Sequence, residues 1–251
     1  MDSGNITVTV EHQIATINFY HPASNSLPSN LLNQLSDVIN QLDVNNKVNV
    51  IILKSENNTT FCAGASFDEL ISINNESDGL AFFRGFANVI NAMRKCSKLI
   101  IGRAQGKVVG GGVGLLAAAD YCLATDQAAI KLSEFTIGIG PFVIAPAVER
   151  KMGIAALSEL TLNATQWHNA YWAKEKGLYT RVFDSIDEMD KEIEILSLKL
   201  ANYNPEALKQ MKQILWNGTD HWDNLLIERA AISGKLVLSD FSKKALNKFK
   251  K

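Results

Sequence analysis

The chain contains 251 residues, of which 47% are hydrophobic and 20% are charged. This composition excludes a disordered protein, because enough apolar side chains are available to bury one large core. The 25 basic and 26 acidic residues leave a formal net charge of −1. Such a balance argues against nucleic acid or an anionic membrane as a partner, so we expect a small-molecule ligand.

Cysteine usage and the N-terminal sequence predict the compartment. Cys62, Cys96 and Cys122 are odd in number, widely separated and set among apolar residues, which predicts reduced, buried thiols rather than disulfides or a zinc site. Residues 1–5 lack the basic and apolar segments of a secretory signal. The histidines lack metal-ligand spacing, so no metal is predicted. We therefore predict a cytoplasmic protein without a bound metal.

The N-terminal part combines a hairpin with a helix. Apolar and polar residues alternate over 6–10, and an apolar run follows at 14–19, which predicts two antiparallel strands. Between Leu31 and Leu42 the apolar residues recur at steps of three and four, which predicts a helix. Pro28 suits the first turn of that helix.

Strands and helices then alternate. Residues 50–53 are apolar on both faces, as in a central strand that is covered by helices on each side. Residues 99–119 are weakly polar but contain charged residues such as Arg103 and Lys107, so we interpret them as a buried strand and helix and not as a membrane span. The other predicted elements are a helix at 80–95, strands at 99–104, 121–124 and 129–132, and a helix of small residues from Gly110 to Ala119. This alternation predicts an α/β fold.

The C-terminal third, after about residue 144, is almost entirely helical in pattern. Apolar residues from Ile193 to Leu200 share one helix face, and Pro205 is suited to open a further helix. Only residues 181–183 look like a strand. The charged tail, Lys243–Lys251, is either a solvated helix end or a contact for phosphates.

Three segments follow one another in an order that one enzyme superfamily shares. They are HPASNSL at 21–27, FCAGASFDEL at 61–70, and the stretch 106–140, with GGG at 110–112 and KLSEFTIG at 131–138. The first resembles a Pro…Asn-Ala-Leu turn, and the second a Phe-x-Ala-Gly-Ala-Asp-(Ile/Leu)-x-x-(Met/Leu) signature, of the crotonase superfamily, also called the enoyl-CoA hydratase/isomerase family. Weaker similarities at 170–178 and 204–212 extend the resemblance over nearly the whole chain.

This resemblance implies a fold, a ligand and an assembly. The implied fold class is α/β, the crotonase-like (ClpP/crotonase) spiral of ββα units with a helical C-terminal region. Residues 1–195 would form the α/β core, and residues 196–251 a helical region for trimerisation or for a lid. The implied ligand is an acyl-CoA thioester, with coenzyme A as part of the substrate and no separate cofactor. Members of the family form trimers, often paired, so we expect a homotrimer or hexamer.

The resemblance also assigns roles to residues of the second and third segments. By position, Ala65 and Gly111 match the two backbone amides that stabilise negative charge on the thioester oxygen, an oxyanion hole. The residues expected to contact the substrate around them are Ala63, Gly64, Ser66, Gly110, Gly112 and Phe142. Considered without the family, the glycines at 110–112 are better explained by close packing of a strand on a helix.

Glu134 matches one of the two catalytic glutamates of the family, and burial would raise its pKa towards that of a general base. Without the family it would be taken for an exposed loop acid. Gly114 stands where typical hydratases of the family have the other glutamate, so two-glutamate hydration is disfavoured. One carboxylate suffices to move a proton from C2 to C4. We therefore expect an isomerase that converts a 3-enoyl-CoA to a 2-enoyl-CoA, with Glu134 as the proton shuttle.

Other activities remain open from the sequence. One alternative is a hydratase, or another lyase or decarboxylase of acyl-CoA, that uses Glu134 alone. Phe142 replaces the aspartate of the dienoyl-CoA isomerase branch and disfavours that reaction. A catalytically silent acyl-CoA-binding or assembly module is a second class. A third is dinucleotide binding, because residues 112–117 fit G-x-G-x-x-A. The acyl group cannot be deduced, although Leu70, Phe82, Phe86 and Phe142 are candidates to line its pocket.

Overall fold

A six-stranded sheet and a three-stranded sheet carry the fold in the computed structural model, which describes residues 4–248. The strands are β1 (Asn5–Glu11), β2 (Ile14–Tyr20), β3 (Val50–Ser55), β4 (Thr60–Cys62), β5 (Leu99–Ala104), β6 (Lys107–Val109), β7 (Tyr121–Thr125), β8 (Ile130–Lys131) and β9 (Arg181–Phe183). The larger sheet has the order β1-β2-β3-β5-β7-β9, and the smaller has the order β4-β6-β8. Among these strands, within the described residues, only β1 and β2 pair in antiparallel fashion, and the other pairs are parallel.

Helices surround both sheets and make up most of the C-terminal third. In chain order they are α1 (Ser29–Asp43), α2 (Phe67–Ser72), α3 (Glu76–Lys95), α4 (Gly111–Ala118), α5 (Ala145–Met152), α6 (Ile154–Leu162), α7 (Ala170–Glu175), α8 (Ile186–Ala201), α9 (Pro205–Leu215), α10 (Trp222–Leu236) and α11 (Asp240–Asn247), with a 3-10 helix at Glu134–Ile137. No helix within residues 4–248 combines the length and apolar character needed to cross a membrane.

The predicted hairpin and central strand are confirmed. His12 and Gln13 connect β1 to β2, and both have positive φ, the backbone that a two-residue hairpin turn requires. Strand β3 lies between β2 and β5, and its apolar side chains enter two cores. Ile51 belongs to the main hydrophobic core, whereas Ile52 packs in a second cluster with residues of α8. Both faces of the strand are therefore covered by apolar groups, as its sequence predicts.

The structure adds short elements that the pattern misses. Strands β4 and β6 and helix α2 lie in segments without a predicted element, because three to six residues are too few to show a period. Pro28 is the N-cap of α1 and not a residue of its first turn, since its backbone is still extended. Pro205 does open a helix, as predicted, and Asn204 caps it by accepting two backbone hydrogen bonds. The predicted burial of all three cysteines is also confirmed.

The C-terminal helices pack back onto the sheet-bearing part. The boundary predicted between residues 195 and 196 falls inside α8, and a role in trimerisation or as a lid stays a prediction. Helix α10 crosses α3 where Gly79 meets Gly234, since a Cβ on Gly79 would lie 2.7 Å from Cα of Gly234. In the charged tail, Lys243 and Lys244 are exposed on α11. Residues 1–3, at the predicted signal-free start, and 249–251, at the tail's end, lie outside the described residues.

A buried ion pair fixes α9 to the larger sheet. Lys212 Nζ lies 2.9 Å from Asp120 Oδ2, and the two side chains are 2% and 5% exposed. The ammonium also donates to the carbonyl oxygen of Lys98, while the carboxylate accepts from Ile100 N–H and from the Trp216 indole. Because both ions are satisfied by further hydrogen bonds, removing one partner would leave an uncompensated buried charge.

We expect Lys212→Met to lower the free energy of unfolding by about 3 to 5 kcal/mol, the usual penalty for breaking a buried pair on one side. Lys209→Met makes the same change at an exposed position of α9 and should stay within about 0.5 kcal/mol. Urea unfolding of both variants measures the difference. Equal stability of the two would show that the pair does not anchor α9.

Candidate active site

The smaller sheet positions three segments of the candidate site at one edge. Its strands β4, β6 and β8 run parallel, so their carboxyl ends lie on the same side of the sheet. Gly64 and Ala65 follow β4, Gly110 and Gly111 follow β6, and Glu134 follows β8. Segments that are far apart in the sequence are thereby brought together.

Close backbone packing joins the first two of these segments. Gly64 has a φ of +89°, and a Cβ at this position would lie 3.1 Å from the Val109 carbonyl oxygen and 3.6 Å from Gly111 N. The Leu27 amide donates to the Gly64 carbonyl oxygen at 2.8 Å and holds the loop from the other side. Glycine is required here because the backbone is left-handed and its neighbours are other main-chain atoms.

Two amides in this region have no protein acceptor. Within residues 4–248, neither the Ala65 N–H nor the Gly111 N–H donates a hydrogen bond. Gly111 is the first residue of α4, where a helix leaves its amides unsatisfied and carries partial positive charge. Such donors can stabilise an anionic oxygen without reorganising during a reaction.

The Glu134 carboxyl is buried beside the same turn. Its Oε1 lies 3.0 Å from the point that a Cβ on Gly110 would occupy, and its Oε2 is inaccessible and has no hydrogen-bond partner among the described residues. Desolvation raises the pKa of Glu134 from 4.5 to about 7, and a hydrogen bond from its own backbone N–H opposes the shift only in part. The alternative of an exposed loop acid is therefore wrong.

A small pocket connects these groups. It has a volume of about 70 Å³, and its wall includes six of the predicted site residues, namely Ala63, Gly64, Ala65, Gly110, Gly111 and Glu134. The rest of the wall is largely apolar, with Leu70, Phe83, Phe86, Val143 and Ile144 among its members. The site thus brings the Ala65 and Gly111 amides and one buried acid to a largely apolar cavity.

Three residues predicted to bind substrate do not line this pocket. Ser66 is buried as the N-cap of α2, where its hydroxyl accepts from the Glu69 amide. Gly112 is buried against β4, since a Cβ there would lie 2.7 Å from Cβ of Cys62. Phe142 turns its ring towards Gly140. Of the aromatic candidates for the acyl pocket, Phe86 lies in the wall of this pocket, and Phe82 does not.

A family model described as "Enoyl-CoA hydratase/isomerase" matches residues 9–249. The chain belongs to the enoyl-CoA hydratase/isomerase family. This confirms the crotonase resemblance of the three motifs.

Individual relatives of this family member differ in their reactions. The chain is 25% identical to the short-chain-enoyl-CoA hydratase of Clostridium acetobutylicum over 252 aligned residues. This alignment covers 99% of this chain and 95% of the relative. It is 26% identical over 206 residues, 76% of this chain and 72% of the relative, to the peroxisomal Delta(3,5)-Delta(2,4)-dienoyl-CoA isomerase of Arabidopsis thaliana. The crystal structure of enoyl-CoA hydratase from Bacillus halodurans superposes with a TM-score of 0.89 at 17% identity, covering 97% and 99% of the two chains. The crotonase fold is therefore confirmed.

This family member has no room for a side chain at Gly114. A Cβ on Gly114 would lie 2.6 Å from Cβ of Ile144, so Ile144 occupies the space into which a residue at this position would project. Glu134 is the only acidic residue among the described residues of the pocket wall. Gly112 and Gly114 are both buried within α4, which also argues against the dinucleotide alternative, because neither backbone is open to a pyrophosphate.

Sequence reasoning missed Phe83, Val143 and Ile144 as wall residues. Phe83 lies beside Phe82 and Phe86 on α3, and the pattern alone does not say which of them faces the pocket. Ile144 is the N-cap of α5, where the sequence predicts helical character without marking which residues line a pocket. Residues 4–248 contain no cluster of three His, Cys, Asp or Glu residues that would hold a metal ion.

The burial of Glu134 should appear in the pH dependence of stability. The unfolded chain ionises this carboxyl near pH 4.5, whereas the folded protein retains the proton until about pH 7. Stability should therefore fall as the pH rises through this window, and Glu134→Gln should remove the fall. Between pH 4 and pH 8, the free energy of unfolding of the variant should rise by about 3 kcal/mol relative to that of wild type. Urea unfolding across this range measures the gain, and exposed Glu149→Gln is the control that should show none.

Steric coupling between Gly114 and Ile144 can be measured with a double-mutant cycle. Gly114→Ala should overpack the site by about 1 to 3 kcal/mol, and Ile144→Gly should relieve most of this penalty. We expect a coupling energy of at least about 1 kcal/mol in the free energies of unfolding. Additive effects would mean that Ile144 does not fill the space beside Gly114.

Proposed function

We propose that this protein is a 3-enoyl-CoA to 2-enoyl-CoA double-bond isomerase. The observation that carries the proposal is that Glu134 is the one acid among the described residues of the pocket wall. It lies beside the Ala65 and Gly111 amides, which donate no hydrogen bond within residues 4–248, and Ile144 closes the space into which a second acid at Gly114 would project. This arrangement supports proton transfer between two carbons of a bound acyl group. The described residues of the wall offer no second carboxylate to orient a water molecule.

The reaction divides into two proton transfers. The ionised Glu134 removes a proton from C2 of the 3-enoyl thioester, and the electron pair of that C–H bond moves through the carbonyl carbon to its oxygen. The dienolate that results places negative charge on this oxygen, where the Ala65 and Gly111 amides stabilise it. The Glu134 carboxylic acid then returns the proton to C4, the double bond forms between C2 and C3, and the carboxylate is restored.

A pKa near 7 suits both halves of this cycle. At pH 7 a substantial fraction of Glu134 is ionised and able to take a proton, yet its conjugate acid is strong enough to give the proton back. A carboxyl with an ordinary pKa would be a weaker base. No polar partner among the described residues competes for Oε2.

Substrate, assembly and compartment form the rest of the proposal. The two relatives described above act on enoyl-CoA or dienoyl-CoA according to their names, which supports an acyl-CoA substrate with no cofactor beyond the coenzyme A that it carries. A homotrimer or hexamer and a cytoplasmic location are proposed from the family resemblance and the composition.

We expect Glu134→Gln to lower kcat for isomerisation of a 3-enoyl-CoA by about 10²- to 10⁴-fold, because the amide cannot accept the proton. The rate follows from the ultraviolet absorbance of the conjugated product. For wild type, kcat/KM should rise with pH to a plateau, with a midpoint near 7, since the base acts when ionised.

Glu149→Gln, an exposed acid on α5, is the matched control and should retain wild-type rates. Products are identified by mass and double-bond position. If wild type instead adds water to a 2-enoyl-CoA faster than it isomerises a 3-enoyl-CoA, the proposal is wrong. That result would favour a hydratase that uses Glu134 alone. Acyl-CoA binding with no turnover of any ester would favour a silent binding module.

A further inference from the structure

The size of the pocket beside Glu134 limits what can react there. Its volume is about 70 Å³, whereas pockets for drug-sized ligands measure about 300 to 1,000 Å³. A thioester carbonyl oxygen and a short carbon chain fill it.

Core side chains close the pocket on two sides. The Phe86 ring covers Gly111 so closely that a Cβ there would lie 2.6 Å from its Cζ, and Ile144 lies so close to Gly114 that a Cβ there would lie 2.6 Å from its Cβ. Phe86 and Ile144 are each 4% exposed and belong to the main hydrophobic core. Because a close-packed core resists displacement, a longer chain cannot push them aside without a loss of packing.

The pocket wall also lacks a counter-charge for an acidic substrate. Among the described residues that form it, Glu134 is the only ionisable one, and no Lys, Arg or His is present. A carboxylate at the far end of an acyl chain would lose its hydration here without gaining a cation. It would also lie near Glu134, whose negative charge would repel it.

We infer that the reacting acyl group is short and uncharged. This inference rests on the proposed acyl-CoA function and narrows its substrate class. Dicarboxylic acyl groups and medium or long fatty acyl groups are excluded by charge and by volume, respectively.

Saturated acyl-CoA esters test the inference by binding alone, because they lack the double bond that reacts. The series comprises free coenzyme A, butyryl-CoA, pentanoyl-CoA, octanoyl-CoA and glutaryl-CoA, titrated calorimetrically into the full-length protein. Pentanoyl-CoA and glutaryl-CoA contain five acyl carbons each and differ in the terminal carboxylate. We expect butyryl-CoA and pentanoyl-CoA to bind at least about tenfold more tightly than octanoyl-CoA and glutaryl-CoA, which is a typical discrimination for a hydrophobic pocket.

A variant of the pocket wall tests its cause. Phe86→Leu should enlarge the pocket and raise the affinity for octanoyl-CoA relative to butyryl-CoA by about tenfold. Phe19→Leu makes the same change at a buried phenylalanine that does not line the pocket, and it should leave the ratio unchanged. Circular dichroism of both variants establishes that they are folded.

The outcomes distinguish a failure of this inference from a failure of the proposed acyl-CoA function. Octanoyl-CoA or glutaryl-CoA binding as tightly as the short neutral esters would overturn the inference and leave the acyl-CoA function intact. If free coenzyme A and every ester fail to bind, both the proposed acyl-CoA function and this inference are wrong. An unchanged ratio in Phe86→Leu would exclude Phe86 as the residue that limits chain length.

Discussion

Parallel pairing of three short strands is the constraint on which the candidate site depends. Strands β4, β6 and β8 contain only two or three residues each, yet their shared direction places Gly64, Gly110 and Glu134 at one edge. Main-chain hydrogen bonds fix this arrangement, so the free amides of the site are positioned by backbone and not by flexible side chains. A donor that is already in place needs no reorganisation when charge develops on a bound oxygen.

Burial of the Glu134 carboxyl, in contrast, costs the folded protein stability when the carboxyl ionises. Oε2 of Glu134 has no partner among the described residues, and its pKa of about 7 shows that desolvation outweighs the one local hydrogen bond. Stability is lost when the carboxyl ionises in the folded protein. The same loss makes the carboxylate a stronger base, so the surrounding core must supply the free energy that keeps the site reactive.

Periodicity in the sequence predicted individual strands and helices well, but it did not predict which residues from different elements line the pocket. The β1–β2 hairpin and the strand at 50–53 follow from periodicity because their side chains alternate or are apolar on both faces. Glu134, Ala65 and Gly111 were found because the family motifs mark their positions. Ile144 and Phe83 carry no such mark, since their place in the pocket wall depends on how α3 and α5 pack against α4. Gly112 belongs to the same motif as Gly111, and only the structure shows that it packs on β4.

The run of glycines at α4 explains how packing and chemistry share one short helix. Gly110 and Gly111 face the site, where a Cβ would meet the Glu134 carboxyl and the Phe86 ring, respectively. Gly112 and Gly114 face the core, where a Cβ would meet Cys62 and Ile144. The small residues let an acid, an aromatic ring and two core side chains approach one helix from different directions. Because Ile144 occupies the space at Gly114, placing a second acid there would require rebuilding the core, and Glu134 remains the one carboxylate among the described residues of the pocket wall.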